Sequence, residues 1–327
     1  MLIPILQLVA GLALLVLGAE FLVKGAARLA RLLGLSPFAI GVTVVAFGTS
    51  APELFATLRA ALAGAGDLGI GNVVGSNIAN VLLILGLTTI LSPIRVERSV
   101  LNRDLPIMLG VSLVGAGMLF MGDRTLGLTE GLTLIGGLVA YTLYNLKAGK
   151  ADPDSVAHEL EREATEELHL DRPEPRSRLA LDLALIALGL AGLSLGADQL
   201  VKGATVLATD VLGVSPGLVG LTVVAFGTSL PELAASVRAA LSKQHAMAIG
   251  NVVGSNVFNI LSVLGISSLV RPLGARQGIG PDLLVMLVAA LLCYPVLSRK
   301  RTITRVQGAI MVAGYVGYTV FAYLQEI

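Results

Sequence analysis

The segment Thr43–Leu54, TVVAFGTSAPEL, returns at Thr222–Leu233 as TVVAFGTSLPEL. No other feature constrains the fold as strongly. Each copy is an apolar run broken by Gly, Thr, Ser, Pro and a carboxylate. The repeat extends beyond this centre: LGAEFLVKGA (17–26) matches LGADQLVKGA (195–204), LGLSP (33–37) matches LGVSP (212–216), and GNVVGSNIAN (71–80) matches GNVVGSNVFN (250–259). Chance does not produce four matched blocks in the same order, so the chain is read as two copies of one unit.

Composition then fixes the solvent. With 55% hydrophobic and 14% charged residues, the chain is expected to be an all-α polytopic membrane protein. The N-terminal MLIPILQLVAGLALLVLGAEFL lacks a positively charged leader and is read as a retained first span. Apolar runs of spanning length lie near 3–30, 38–62, 71–91, 105–121 and 126–146, then near 178–206, 216–241, 248–270, 282–297 and 306–324. That makes ten expected transmembrane helices. They divide into a first five-helix repeat (1–146), a polar linker (147–177) and a second repeat (178–327). An odd number of spans per copy makes the two copies inverted relative to each other, with the substrate expected where broken helices meet.

Most of the 23 Lys and Arg residues fall on the flanks that are cytoplasmic if both termini lie outside. The opposite flanks hold Arg59, Arg124, Lys202, Arg271 and Arg276. The linker is then cytoplasmic. Ser155 is a candidate cap for a short helix there, and the charged run including His158 and His169 reads as a solvated face. A net charge of +1 without a basic stripe gives no support for nucleic-acid binding. Three His and one Cys, with no nucleophile and base at motif spacing, give none for an enzyme. Cys293 is read as a small apolar filler. No cofactor and no obligatory protein partner are expected, the partners being the bilayer and the transported ions.

The chemistry sits in the repeated motifs. Pro52 and Pro231 lack an N–H and clash with the carbonyl four residues back, so the second and seventh helices should break near Gly48 and Gly227. Backbone freed at that depth persists only where it lines a cavity or meets a ligand, and hard cations take carbonyl oxygens. Thr49 with Glu53, and Thr228 with Glu232, are four apart and share a side of their helices wherever these stay regular. Asn72, Ser76 and Asn80 recur every four residues, as do Asn251, Ser255 and Asn259. Gly71, Gly75, Gly250 and Gly254 are expected to permit close backbone approach. Asn72 and Asn251 are read as interhelical glue, and Ser76, Asn80, Ser255 and Asn259 as ion ligands. Glu53 and Glu232, placed in apolar surroundings with no basic residue in either motif, require a cation. Glu20 with Lys24, and Asp198 with Lys202, are spaced as local ion pairs without a transport role.

GTSAPEL with GNVVGSNIAN, and GTSLPEL with GNVVGSNVFN, resemble the two alpha repeats of the cation/calcium antiporter superfamily. The resemblance is greatest to its prokaryotic sodium/calcium exchanger branch and covers essentially the whole chain. It implies secondary active exchange of Na+ for Ca2+ by alternating access, in the prokaryotic cell (inner) membrane, with the first and sixth spans sliding. It further implies that Thr49, Ser50 and Glu53 with the Ala46 carbonyl, and Thr228, Ser229 and Glu232 with the Ala225 carbonyl, line the cation sites. Ser76, Asn80, Ser255 and Asn259 complete them. The alternative is a proton-coupled antiporter of calcium or another divalent cation. One departure stands out: Asn259 occupies a position where characterised sodium/calcium exchangers often carry Asp. An amide ligates through oxygen but carries no charge, so either a coupling ratio different from three sodium per calcium or weaker binding of the second cation is expected.

Overall fold

The computed structural model describes residues 2–98, 100–121, 125–148, 179–207, 210, 225–275, 278–298 and 302–326. Its helices are α1 (Leu2–Leu33), α2 (Pro37–Thr49), α3 (Ala51–Leu62), α4 (Gly66–Leu91), α5 (Val100–Phe120) and α6 (Leu128–Ala148). Then follow α7 (Leu179–Val206), α8 (Leu230–Leu241), α9 (His245–Val270), α10 (Gly280–Ser298) and α11 (Arg305–Glu326). Among them α1, α4, α5, α7 and α9 are long and apolar enough to cross a bilayer. Their outward positions, such as Ile3, Val9, Leu12, Phe120 and Leu188, are exposed and apolar, as lipid contact demands. The linker from residue 149 to 178, with Ser155, His158 and His169, lies outside the described residues, as does the stretch from 211 to 224.

Local signals explain the helix ends. Ser36 accepts a hydrogen bond from the Ala39 N–H at 3.1 Å, and Pro37 opens α2 with no N–H to satisfy. Gly34, at φ +61°, closes α1 with the Leu35 N–H bonded to the Ala30 carbonyl. The same turn ends α3 at Gly64 and α8 at Lys243, which occupy equivalent repeat positions at φ +80° and +58°. Lys243 thus takes a left-handed conformation without a glycine, at a cost of about 1–2 kcal/mol.

The chain forms two compact units, one drawn from 1–49 and 143–251, the other from 50–142 and 252–327. In the first, α1 lies antiparallel against α7 along most of its length. Glycines seven residues apart make this possible: a Cβ on Gly11, Gly18 or Gly25 would sit 2.7–2.9 Å from backbone atoms of Leu200, Leu193 and Asp182, and one on Gly189 would sit 2.6 Å from the Leu22 nitrogen. Leu15, Leu22, Ile186 and Leu193 fill the core beside them, with Ala235 and Ala239 of α8. The expected pairs Glu20–Lys24 (2.6 Å) and Asp198–Lys202 (2.7 Å) form. Sequence spacing missed the second partner of Glu20, Arg238 of α8; interhelical pairing leaves no local periodicity.

In the second unit α3 packs on α4, α4 on α11 and α10 on α5. Gly86 and Gly308 bring α4 and α11 together, a Cβ on Gly308 falling 2.6 Å from the Gly86 carbonyl oxygen. Two short antiparallel ladders tie loops: β1 (Ile94–Arg95) with β4 (Thr302–Ile303), and β2 (Thr125–Leu126) with β3 (Leu273–Gly274). They are the departure from a purely helical expectation. The close approach expected at Gly250 is present, with a Cβ there 2.7 Å from the Phe38 carbonyl oxygen. At Gly71 and Gly75, by contrast, a Cβ would meet nothing within 4 Å among the described residues.

Gly189→Ala gains about 1 kcal/mol of helix propensity and loses about 1–3 kcal/mol to overpacking against α1. Its unfolding temperature in detergent should therefore fall, whereas Gly110→Ala, which meets nothing within 4 Å among the described residues, should hold or rise.

Candidate functional site

Both copies of the repeated motif break at the same place. α2 ends at Thr49, Ser50 adopts φ −81°, ψ 6°, and α3 restarts with Pro52 in its first turn. In the second copy the turn Ala225–Gly227 is followed by Ser229 at φ −90°, ψ 5°, and α8 restarts with Pro231 in its first turn. The near-identical angles show that the backbone break is written into the repeated GTS-x-PEL sequence. Each break puts a glutamate in the first turn of the next helix, where the unpaired N–H groups and helix dipole favour negative charge. Glu53 is 0% exposed and Glu232 1%.

In the second unit the break carries Ser50 and Glu53 on α3. Against α3 pack α4, with Ser76 and Asn80, and the later part of α9, with Asn259; Ser255 belongs to the same part of α9. All six side chains are buried. Asn80 and Asn259 each sit at the start of a π-helical stretch, Ala79–Ile84 and Asn259–Leu264, and a third stretch, Gly41–Val45, runs into Ala46. Such widened turns leave carbonyls out of the regular ladder and are frequent at functional sites. Neither amide atom of Asn80, nor Ser255 Oγ, nor Asn259 Oδ1 has a hydrogen-bond partner among the described residues. Buried polar atoms are nearly always partnered, and Thr88 Oγ1, Thr89 Oγ1 and Ser267 Oγ of the same unit share this condition among the described residues.

In the first unit Thr49, Ser229 and Glu232 are buried, and Thr228 is half-buried in the turn before α8. The Thr49 hydroxyl lies 3.4 Å from the Ala46 carbonyl oxygen and 3.2 Å from Asn251 Oδ1. Its single proton is shared between those two acceptors. Ala225 opens the turn that precedes Thr228.

Two further pairs buttress the carboxylate helices. Asn72 Nδ2 donates to Thr57 Oγ1 at 3.0 Å and to the Glu53 carbonyl at 3.4 Å; Asn251 Nδ2 donates to Ser236 Oγ at 2.9 Å and to the Glu232 carbonyl at 3.3 Å. Asn72 and Asn251 are thus the interhelical glue expected of them. Thr57 and Ser236 were missed, although each stands four residues after its glutamate in both copies, a signal the repeat offered. Asn77 was missed as well: its Nδ2 donates to the Asn256 carbonyl at 3.2 Å, and its Oδ1 accepts from Asn259 Nδ2 at 3.0 Å. Among the described residues no three His, Cys, Asp or Glu side chains converge. The available ligands are therefore single carboxylates with hydroxyl, amide and carbonyl oxygens, the set hard cations take.

Apolar helices carrying buried oxygens at helix breaks define a polytopic membrane carrier for cations. The comparisons specify which. The family model for "sodium/calcium exchanger protein" matches residues 3–147 and 181–324. The chain is 37% identical to the inner membrane protein YrbG of Escherichia coli K12 over 99% of this chain and 98% of that one. It is 33% identical to the sodium/calcium exchanger MaX1 of Methanosarcina acetivorans, over 97% and 98%. A solved structure of the sodium-calcium exchanger NCX_Mj, soaked with zero Na+ and Ca2+, superposes with a TM-score of 0.81 at 32% identity, covering 96% and 97%. The chain belongs to the sodium/calcium exchanger family, within the cation/calcium antiporters, and is a multi-pass membrane transporter.

Asn251→Leu strands the Ser236 hydroxyl and the Glu232 carbonyl without their donor, at about 1–3 kcal/mol. Thermal unfolding of the purified variant should drop by several degrees relative to the wild type, and an unchanged midpoint would show that the buttress bears no load.

Proposed function

We propose that this chain exchanges Na+ for Ca2+ by alternating access, with Glu53 and Glu232 supplying the negative charge that the cations neutralise. The observation that carries this reading is the burial of both glutamates in matching helix breaks, and, in the unit that holds Glu53, buried atoms of Asn80, Ser255 and Asn259 with no hydrogen-bond partner among the described residues. Placing one carboxylate at a bilayer centre costs about 2.5–3.5 kcal/mol even on insertion scales. A cation offsets that cost, and an empty carrier keeps it as a barrier to reorientation. Charge neutralisation then couples ion occupancy to movement, which is what antiport requires.

The remaining ligands in this reading are Thr49, Ser50, Ser76, Asn80, Thr228, Ser229, Ser255 and Asn259, with the carbonyls of Ala46 and Ala225. The architecture that accompanies it has ten spans in two inverted repeats, 1–146 and 178–327, joined by a cytoplasmic linker, with both termini outside a prokaryotic inner membrane. The first and sixth spans, α1 and α7, move as a pair; their glycine-mediated backbone contact suits them to do so without repacking against each other. With an amide at Asn259, the two glutamates are the fixed charges of the site. They balance one divalent or two monovalent cations, so the coupling ratio departs from three sodium per calcium or the second cation is bound more weakly.

Calcium-45 uptake into proteoliposomes tests the coupling. Uptake should require internal sodium and should fail in potassium-loaded vesicles; uptake driven by an acid interior alone would assign the chain to proton-coupled antiport. Glu53→Gln and Glu232→Gln should each cut sodium-driven uptake by about two orders of magnitude, the counterpart of about 2.5–3.5 kcal/mol of lost charge compensation. Normal uptake in both variants would remove the glutamates from the site. Asn259→Asp adds a charge and should shift the reversal potential under a calcium gradient toward a higher sodium-to-calcium ratio.

A further inference from the structure

We infer that Asn77, a residue outside the ligand set, is the positioning residue that fixes which edge of the Asn259 amide meets the transported cation. This rests on the reading of Asn259 as a ligand and extends it. An asparagine amide offers an acceptor edge and a donor edge of nearly the same shape. A cation is stabilised by the first and repelled by the second, so an amide ligand must be prevented from rotating.

The structure supplies a chain of contacts that allows a single orientation. Asn77 Nδ2 lies 3.2 Å from the Asn256 carbonyl oxygen and 3.9 Å from Met286 Sδ. A carbonyl can only accept, and a thioether accepts weakly. The nitrogen edge of Asn77 therefore has to face them, and its Oδ1 has to face Asn259. Asn259 must then turn its own Nδ2 toward that oxygen, at 3.0 Å. Its Oδ1 is left pointing away, buried, with no hydrogen-bond partner among the described residues. Rotating Asn259 by half a turn would oppose two oxygens and lose the bond. The relay also polarises the amide: donating through Nδ2 raises electron density on Oδ1, as hydrogen-bonded chains do.

The other half of the repeat lacks this device. Asn256, the counterpart of Asn77, sends its Nδ2 to the Val252 carbonyl of its own helix at 2.9 Å. Neither amide atom of Asn80, the counterpart of Asn259, has a hydrogen-bond partner among the described residues. One amide is fixed by a backbone carbonyl through Asn77, and its symmetry mate carries no such relay. The backbone origin matters, because a carbonyl cannot be flipped or titrated, so the orientation of Asn259 holds at any pH.

The test is the calcium dependence of sodium-driven calcium-45 uptake in Asn77→Leu, Asn259→Ala and the double variant. Asn77→Leu should raise the half-saturating calcium concentration about tenfold, with the maximal rate within twofold of wild type. Asn259→Ala should raise it by at least as much, and the double variant should be no worse than Asn259→Ala, since Asn77 acts through Asn259. Calcium-dependent shifts of the unfolding midpoint in purified protein should follow the same order. Asn77→Ser, smaller than the leucine replacement, substitutes for it if the latter does not fold, with a change in the same direction. Half-saturation within twofold of wild type at position 77 while Asn259→Ala rises overturns the positioning role alone. Effects that multiply in the double variant overturn it too. An unchanged Asn259→Ala overturns the ligand reading beneath it.

Discussion

A carboxylate with no exposed surface, set in a chain more than half hydrophobic, is the constraint from which the rest of this structure follows. Glu53 and Glu232 are each buried in the first turn of a helix that restarts after a proline-enforced break. The break supplies N–H groups and a favourable dipole for the negative charge. It also interrupts an otherwise spanning helix, which the rest of the fold must hold in place. Asn72 and Asn251 do this in parallel, each reaching from a neighbouring helix to the carbonyl of the glutamate and to a hydroxyl one turn later. The site and its scaffold are thus one design, written once and used twice.

The scaffold around it is tight where backbones touch. Without a strong hydrophobic drive between helices in lipid, packing rests on close approach, and α1 against α7 achieves it with glycines one heptad apart. The polar interior of the other unit follows a different rule. Asn77 and Asn259 are chained there through hydrogen bonds from the Asn256 carbonyl to the Asn259 amide, whose buried Oδ1 has no hydrogen-bond partner among the described residues.

Much of this is legible in the sequence because the repeat acts as an internal control. A lone Pro52 could be a kink of no consequence; Pro52 and Pro231 at matched positions, each one residue before a glutamate, cannot. The break, the two glutamates and the glue asparagines were readable from residue type and spacing, and the family model and NCX_Mj structure place the chain where those motifs pointed. What the spacing hid were relations between helices. Arg238 meeting Glu20, the π-helical openings at Asn80 and Asn259, and the role of Asn77 have no signature in periodicity, because the partners are far apart in the chain.

The sequence by itself determined the solvent, the duplication, the two breaks and the chemical kind of ligand, since hydrophobicity, proline stereochemistry and carboxylate burial are properties of residues. Only the tertiary structure decided which oxygens are left open. Asn77 and Asn80 lie three residues apart in one helix and are the same residue type, yet one spends both edges of its amide on hydrogen bonds and the other has neither partnered among the described residues. That difference comes from where the Asn256 carbonyl and Asn259 fall in space, and hydrogen-bond direction is a property of such neighbours, not of the residue alone.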